Sequence, residues 1–330
     1  MSESVATAPE QSPPRQALVR VRDEVAKVIV GQDGVVSGLL TALLVGGHVL
    51  LEGVPGVAKT LLVKSLAAAL DLQTRRVQFT PDLMPSDVLG QAILDQAEGR
   101  GAPALRFREG PVFTNLLLAD EVNRTPPKTQ SALLEAMEER QVTVEGTARR
   151  LPEPFIVVAT QNPVEYEGTY PLPEAQLDRF LFKLVVAYPT AEQEQLVLAR
   201  HDAGLDPHDL RAAGVRPVAG PADLARARAE ADAVRCEAAV LAYIVALARA
   251  TRESPSLTLG VSPRGATMLL HAAKAWAWLS AKSFVTPDEV KAMARPTLRH
   301  RVLLRPEVEL EGGTADGVLE GILATVPVPR

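Results

Sequence analysis

His48-Val49-Leu50-Leu51-Glu52-Gly53-Val54-Pro55-Gly56-Val57-Ala58-Lys59-Thr60 decides how this chain is read. His48–Leu51 has the apolar character of a short buried strand. It runs directly into a turn rich in Gly and Pro, and Thr60–Leu70 follows as a helix that is apolar nearly all round. A strand, a Gly turn and a helix opening on Lys-Thr form the context a phosphate-binding loop requires. Glycines let successive N–H groups point inward at phosphate oxygens, and the helix N-terminus adds roughly half a positive charge. In that reading Gly53, Val54, Pro55, Gly56, Val57, Ala58, Lys59 and Thr60 cradle the phosphates. Lys59 neutralises the terminal phosphates and Thr60 ligates Mg²⁺. Ala58 stands where the usual pattern has Gly, and its methyl group fits if the backbone there is right-handed.

Leu116-Leu117-Leu118-Ala119-Asp120-Glu121 supplies the second piece. An apolar strand carries two carboxylates to its C-terminal end, where parallel α/β sheets bind ligands. Asp120 is the candidate Mg²⁺ holder and Glu121 the candidate group that polarises an attacking water. Ala159-Thr160-Gln161-Asn162-Pro163 is the third piece: Pro163 ends a strand and leaves Asn162 to reach the terminal phosphate or the lytic water. Arg179 lies in a short helix before a strand. Arg264 follows Ser262 and Pro263, a capping residue and a first-turn residue, so it belongs to the opening turn of a helix.

Around these motifs the chain divides in two. Strands at Arg76–Phe79, Asn115–Ala119, Pro154–Ala159 and Phe182–Tyr188 alternate with helices, including Pro126–Arg140 capped by Thr125. That pattern implies an α/β fold with a parallel sheet covered on both faces. Upstream, helices are expected at Ala17–Val30 and Val35–Val45. Two hairpins, Gln91–Asp95 with Ala104–Arg108 and Gln141–Glu145 with Ala148–Leu151, interrupt the alternation. They read either as exposed elaboration or as loops that touch a partner. From Pro189 the chain reads as helices: Ala191–Ala203, Ala222–Asp232, Glu237–Arg252, Pro263–Lys282 and Pro287–His300, with capping boxes at Thr190/Gln193 and Thr286/Glu289. The expected organisation is a tail at 1–16, a nucleotide-binding core at 17–188 and a helical lid at 189–330.

Bulk properties narrow the classes. The net charge of −5 gives no global basic field, and aromatics are 4%, so nucleic acid is not an expected partner. The single cysteine, Cys236, forms no internal disulfide. Apolar runs Leu39–Leu51 and Ala238–Ala250 are too short to span a bilayer. Met1–Gln16 lacks the apolar middle of a signal peptide, so a cytoplasmic location is expected. The five histidines have no ligand spacing. Trp276 and Trp278 read as packing residues.

The order Gly53–Thr60, then Ala119-Asp120-Glu121-Val122-Asn123-Arg124-Thr125-Pro126-Pro127, then Ala159–Pro163, then Leu172–Phe180 resembles the MoxR family of AAA+ ATPases. Gln78-Phe79-Thr80-Pro81-Asp82-Leu83-Met84-Pro85-Ser86-Asp87 and the Ala before Lys59 fit the same family, and the resemblance spans about Val25 to Arg301. It implies an AAA+ αβα core with a helical lid, binding ATP and Mg²⁺, with Gly53–Thr60 as Walker A and Asp120 and Glu121 as Walker B. It implies Asn162 as sensor 1, Arg179 as an arginine finger acting on the neighbour's nucleotide, and Arg264 as sensor 2 closing the lid. Val30-Gly31-Gln32 would lie against adenine, Gln91–Arg108 would be the helix-2 insert, and Gln141–Leu151 the hairpin before sensor 1. Such proteins form hexameric rings. Many serve client proteins together with partners that carry a von Willebrand factor A domain. Two other readings stay open here: a nucleotide-gated assembly scaffold, against which an intact Glu121 argues, and a magnesium-chelatase-like or DNA-acting motor.

Overall fold

The computed structural model describes residues 12–95, 104–162 and 168–329. Helix α1 (Pro13–Ala26) opens on two prolines, which tolerate the first turn because its N–H groups have no helical partner. It therefore starts inside the segment read as tail; residues 1–11 lie outside the described residues. It also ends four residues earlier than its apolar spacing suggested. Val28 and Ile29 continue the buried face from a turn.

Helix α2 (Asp33–Val45) is almost wholly buried and ends at Gly46, whose left-handed backbone (φ 72°) turns the chain into β1 (His48–Glu52). A Cβ on Gly47 would lie 2.5 Å from the Leu181 side chain, so the turn needs glycine for closeness as well. Helix α3 (Lys59–Ala69) and strand β2 (Thr74–Gln78) follow, then α4 (Pro85–Leu89) and the hairpin β3 (Gly90–Asp95) with β4 (Ala104–Glu109). Its expected turn, Glu98–Gly101, lies outside the described residues.

Next come β5 (Leu116–Asp120), α5 (Pro127–Glu139), the hairpin β6 (Gln141–Val144) with β7 (Thr147–Arg150), β8 (Ile156–Gln161), α6 (Glu174–Leu177) and β9 (Phe180–Val185). Pro126 occupies the cap of α5 and Thr125 makes no cap bond, contrary to the sequence expectation. A second proline at 127 takes the first helical position and shifts the start by one.

The sheet order is β2-β5-β8-β1-β9, and every pairing in it is parallel. Side chains alternate across it. Leu51, Leu118 and Val158 join the cluster under α1–α3, whereas Leu50, Leu117 and Val157 join the cluster under α5. Burial on both faces explains why these strands read as unbroken apolar runs.

The remaining elements are α7 (Ala191–Asp202), α8 (Pro221–Asp232), α9 (Ala238–Glu253), β10 (Leu257–Leu259), α10 (Pro263–Leu279), α11 (Pro287–Leu298), β11 (Leu303–Leu304), α12 (Pro306–Leu310) and α13 (Ala315–Thr325). Thr190 caps α7, with reciprocal bonds to Gln193. At the other expected box Glu289 accepts from the Thr286 N–H at 2.8 Å and from the Thr286 hydroxyl at 2.5 Å. Helices α8 and α10 pack on α2, and their apolar residues continue the cluster of α1–α3 without a break. No helix among the described residues is long and apolar enough to cross a membrane.

One buried ionisable group fixes how pH acts on this core. His48 accepts the Val157 N–H at Nδ1 (2.9 Å), so its proton sits on Nε2, which donates to Met137 O at 3.1 Å. Burial pushes it from 6.5 down to about 4. Between those values the unfolded chain binds a proton that the folded chain refuses. Stability is therefore full above pH 6.5 and falls as pH drops, by at most about 1.4 kcal/mol per pH unit from this group. The urea midpoint should fall from about pH 7 to about pH 5 and do so less steeply in His48→Gln; equal slopes would clear His48 of the effect.

Candidate functional site

The C-terminal ends of β1, β5 and β8 lie side by side, and the three motifs meet there. After β1 the Gly53 N–H donates to Gln161 O at 3.3 Å, and a Cβ on Gly53 would come within 2.7 Å of Val186 O. The loop then turns through two left-handed residues, Gly56 (φ 86°) and Ala58 (φ 59°), before α3 begins at Lys59. A right-handed Ala58, the condition set from sequence, is not what the chain adopts. The reversal needs a left-handed residue immediately before the helix, and alanine accepts the cost. Lys59 Nζ donates back across the loop to Gly53 O at 2.5 Å.

Asp120 is 8% exposed, and both its oxygens are engaged. Oδ1 accepts from the Thr160 hydroxyl at 2.5 Å, and Oδ2 accepts from Arg76 Nε and Nη2 at 3.0 and 2.6 Å. Thr160 Oγ1 also accepts the Glu121 N–H at 2.9 Å, tying β8 to the turn after β5. Glu121 adopts a left-handed backbone (φ 57°), uncommon for a residue with a Cβ. Its Oε2 accepts from Gln78 Nε2 at 2.7 Å and pairs with Arg124 Nη1 at 3.1 Å. Sequence reasoning assigned no role to Arg76, Gln78, Arg124 or Thr160. The signal was the parallel register, which sets Gln78 beside Asp120 at the ends of β2 and β5.

Val30, Pro55, Gly56, Val57, Ala58, Lys59, Thr60, Asp120, Glu121 and Asn162 line one cavity of about 720 Å³. Gly31, Gly53 and Val54, expected at the nucleotide, are not part of its lining. A Cβ on Gly31 would meet the Gln193 side chain of α7 at 2.3 Å. Pro163 lies outside the described residues. The opposite wall comes from Tyr188, Pro189 and α7, including Glu194, Val197, Arg200 and His201. Arg200 Nη1 donates to Ala26 O and Lys27 O at 3.0 and 2.8 Å, closing the C-terminal end of α1 onto α7.

Arg179 and Arg264 are absent from this cavity. Both line a second pocket of about 260 Å³ with Gly46, His48, Glu138, Arg140 and His271. Arg264, expected to close over the cleft, stands instead in this second pocket, and the helix that lines the cleft after β9 is α7. Ser262 caps α10 by accepting the Gly265 N–H at 3.1 Å, which holds Arg264 in the first turn on the α2 side. Arg301, 5% exposed, fixes this arrangement. Its Nε donates to Asp178 Oδ1 at 2.8 Å, and its Nη2 donates to Asp178 O and Phe180 O. Burial pulls Arg301 down to about 10, against the opposing pull of Asp178.

A Gly-turned loop on a helix N-terminus, with an Asp-Glu pair at the next strand end but one, defines a nucleotide-binding ATPase of the phosphate-loop class. Residues 48–182 match the model of the ATPase family associated with various cellular activities (AAA), and residues 249–322 match the AAA lid domain. The chain is 41% identical over 322 residues to Chaperone MoxR1 of Mycobacterium tuberculosis (95% of this chain, 82% of the relative). It is 47% identical over 307 residues to the uncharacterized protein YeaC of Bacillus subtilis (93% of each). A crystal structure of a candidate ATPase from Cytophaga hutchinsonii superposes with a TM-score of 0.87 at 42% identity, over 96% of each chain. The chain belongs to the MoxR family of AAA ATPases.

The loop geometry carries its own test. Replacing Ala58 by Gly removes a left-handed penalty of about 1–2 kcal/mol, offset by about 0.5–1 kcal/mol of added chain entropy. Ala58→Gly should therefore raise stability by about 0.5–1 kcal/mol. Gly56→Ala, at a left-handed position with open space around it, should lower stability by about 1 kcal/mol or more. Denaturant titrations of the two variants that move in the same direction would contradict this account of the loop.

Proposed function

We propose that the 720 Å³ cleft binds ATP, with Val30 and Gln32 beside the base and the Pro55–Thr60 turn around the phosphates. Lys59 leaves Gly53 O for the terminal phosphates. Mg²⁺, when bound, supplies charge neutralisation at the β/γ-phosphates. Thr60 and Asp120 are the hard oxygen donors that would hold it, and Asp120 already faces the cation of Arg76. Glu121, oriented by Gln78 and Arg124, takes up the water that attacks the γ-phosphate. Asn162, 5% exposed and at the end of β8, aligns that water or the phosphate.

The single observation that carries the assembly reading is the separation of the arginines from the cleft. The Pro55–Thr60 turn, Asp120, Glu121 and Asn162 line one cavity, where Arg200 is engaged by Ala26 O and Lys27 O and Arg76 and Arg124 by the two carboxylates, whereas Arg179 and Arg264 lie together in a second pocket. In a ring, with a hexamer as the expected form, that face meets the neighbour's cleft. Arg179 and Arg264 then both act in trans. Hydrolysis shifts α7 and the packed lid, and so remodels a client protein; the name of the relative Chaperone MoxR1 supports the client reading. A partner with a von Willebrand factor A domain and the cytoplasm as the working compartment belong to the same proposal.

Lys59→Ala should abolish ATP binding in calorimetry. Glu121→Gln should keep binding and lose turnover, and Arg179→Ala should lose about 10³-fold or more in rate. Mixing decides the geometry. Glu121→Gln subunits carry intact arginines and Arg179→Ala subunits carry intact clefts, so mixed rings should regain activity that neither variant has alone. Mixtures that stay inactive while co-assembling would refute action in trans.

A further inference from the structure

Arg179 and Arg264 come from different parts of the fold, one before β9 and one at the start of α10, yet one carboxylate holds both. Glu138, in the last turn of α5, pairs through Oε2 with Arg179 Nε at 2.9 Å and through Oε1 with Arg264 Nη1 at 3.1 Å. All three side chains are partly open to solvent: 39% for Glu138, 30% for Arg179 and 43% for Arg264. The pocket around them also holds Arg140 and His271, and Glu138 is its one carboxylate among the described residues. Two guanidinium groups on one carboxylate leave a net positive charge facing outward.

We propose that Glu138 is an internal substitute for the neighbour's γ-phosphate, holding both arginines in register until a triphosphate arrives and then losing them to it. This rests on the reading that the two arginines act in trans, and adds to it the residue that sets when they engage. The geometry suits exchange. A carboxylate offers two oxygens to two arginines, and a terminal phosphoryl group offers three oxygens with more charge. Each existing pair is half-exposed, the class of ion pair that binds weakly in water. An anion with greater charge in a water-poor interface outcompetes it. Because the arginines must first leave Glu138, their apparent affinity for phosphate is lowered by the fraction held back. With ADP across the interface no γ-phosphate is there to take over, and the pairs persist. Glu138 thereby makes contact between subunits depend on the nucleotide's third phosphate.

Glu138→Gln keeps the shape and removes the competing charge, and its partial exposure leaves the fold able to accept it. Assembly of full-length chain should be followed by sedimentation against protein concentration, with a slowly hydrolysed ATP analogue and separately with ADP. The half-assembly concentration should fall roughly two- to tenfold with the analogue and stay at the wild-type value with ADP. A merely structural surface charge would move both conditions together, and that result overturns the proposal. No shift with the analogue, or a rise, overturns it too. The double variant Arg179→Ala/Arg264→Ala separates the two layers. If it assembles with the analogue like wild type, the trans reading itself has failed. If it weakens assembly while Glu138→Gln shifts nothing, only the exchange role of Glu138 has failed.

Discussion

The chemistry of this chain depends on one constraint: β1, β8 and β5 must lie adjacent and parallel, so that three strands release their next residues at the same edge. The register Leu51↔Thr160 and Ala119↔Ala159 sets the phosphate loop, the Asp120/Glu121 pair and Asn162 within one cleft. Antiparallel pairing would send one of these ends to the far side of the sheet. Parallel strands need long crossovers, and the helices that make them, α3 and α5 among them, bury both faces. The same buried sheet therefore accounts for stability and for the position of the Gly53–Thr60 loop, the Asp120/Glu121 pair and Asn162. Thr160 shows how tight the coupling is, since one hydroxyl bridges the Asp120 carboxylate and the Glu121 backbone.

The site also carries stored strain. Ala58 and Glu121 both hold a left-handed backbone although both carry a Cβ, and both lie where the chain leaves a sheet strand or enters a helix of the cleft. Such conformations cost on the order of 1–3 kcal/mol each and persist only where the surroundings over-determine them. At Glu121 the surroundings are identifiable: Thr160 holds its N–H, and Gln78 and Arg124 hold its carboxylate. The side chain is thus held in one orientation, and on the proposed role of Glu121 that leaves little reorganisation for the reaction itself.

Much of this was legible in the sequence because it rests on local rules. A Gly/Pro turn between an apolar strand and a Lys-Thr helix, and an apolar strand ending in Asp-Glu, each announce their geometry within a few residues. So did the Ser262-Pro263 start of α10 and the Thr190 cap of α7. What was not legible depends on contacts distant in sequence. Gln78 meets Glu121 across a strand pairing, and Arg301 reaches Asp178 over more than a hundred residues. The strands β10 and β11, of three and two residues, are too short to show any alternation. The backbone at Ala58 went the other way from the steric expectation because the loop's reversal outweighs the preference of one residue. The pocket that Arg264 lines was not legible for a related reason: motif order ranks residues along the chain and is blind to the face of the fold on which α10 packs.

Contacts at Asp178 show how two arginines so far apart in sequence come to lie in one pocket. Arg301, buried in α11's C-terminal turn region, binds Asp178, the residue before Arg179, and Ser262 Oγ donates to the same carboxylate at 3.3 Å, two residues before Arg264. An ion pair this deep gains its strength from good geometry and extra hydrogen bonds, and breaking it would leave a buried charge uncompensated. The start of β9 and the start of α10 are consequently joined through the one carboxylate of Asp178. The cleft is closed differently, by α7, whose residues are all at least partly exposed and whose tie to α1 is through Arg200. The chain thus sets two arginines around segments joined at Asp178 and places a helix with no buried residue beside its own Gly53–Thr60 loop. In such an arrangement a change at the cleft can move α7 without pulling the two arginines apart.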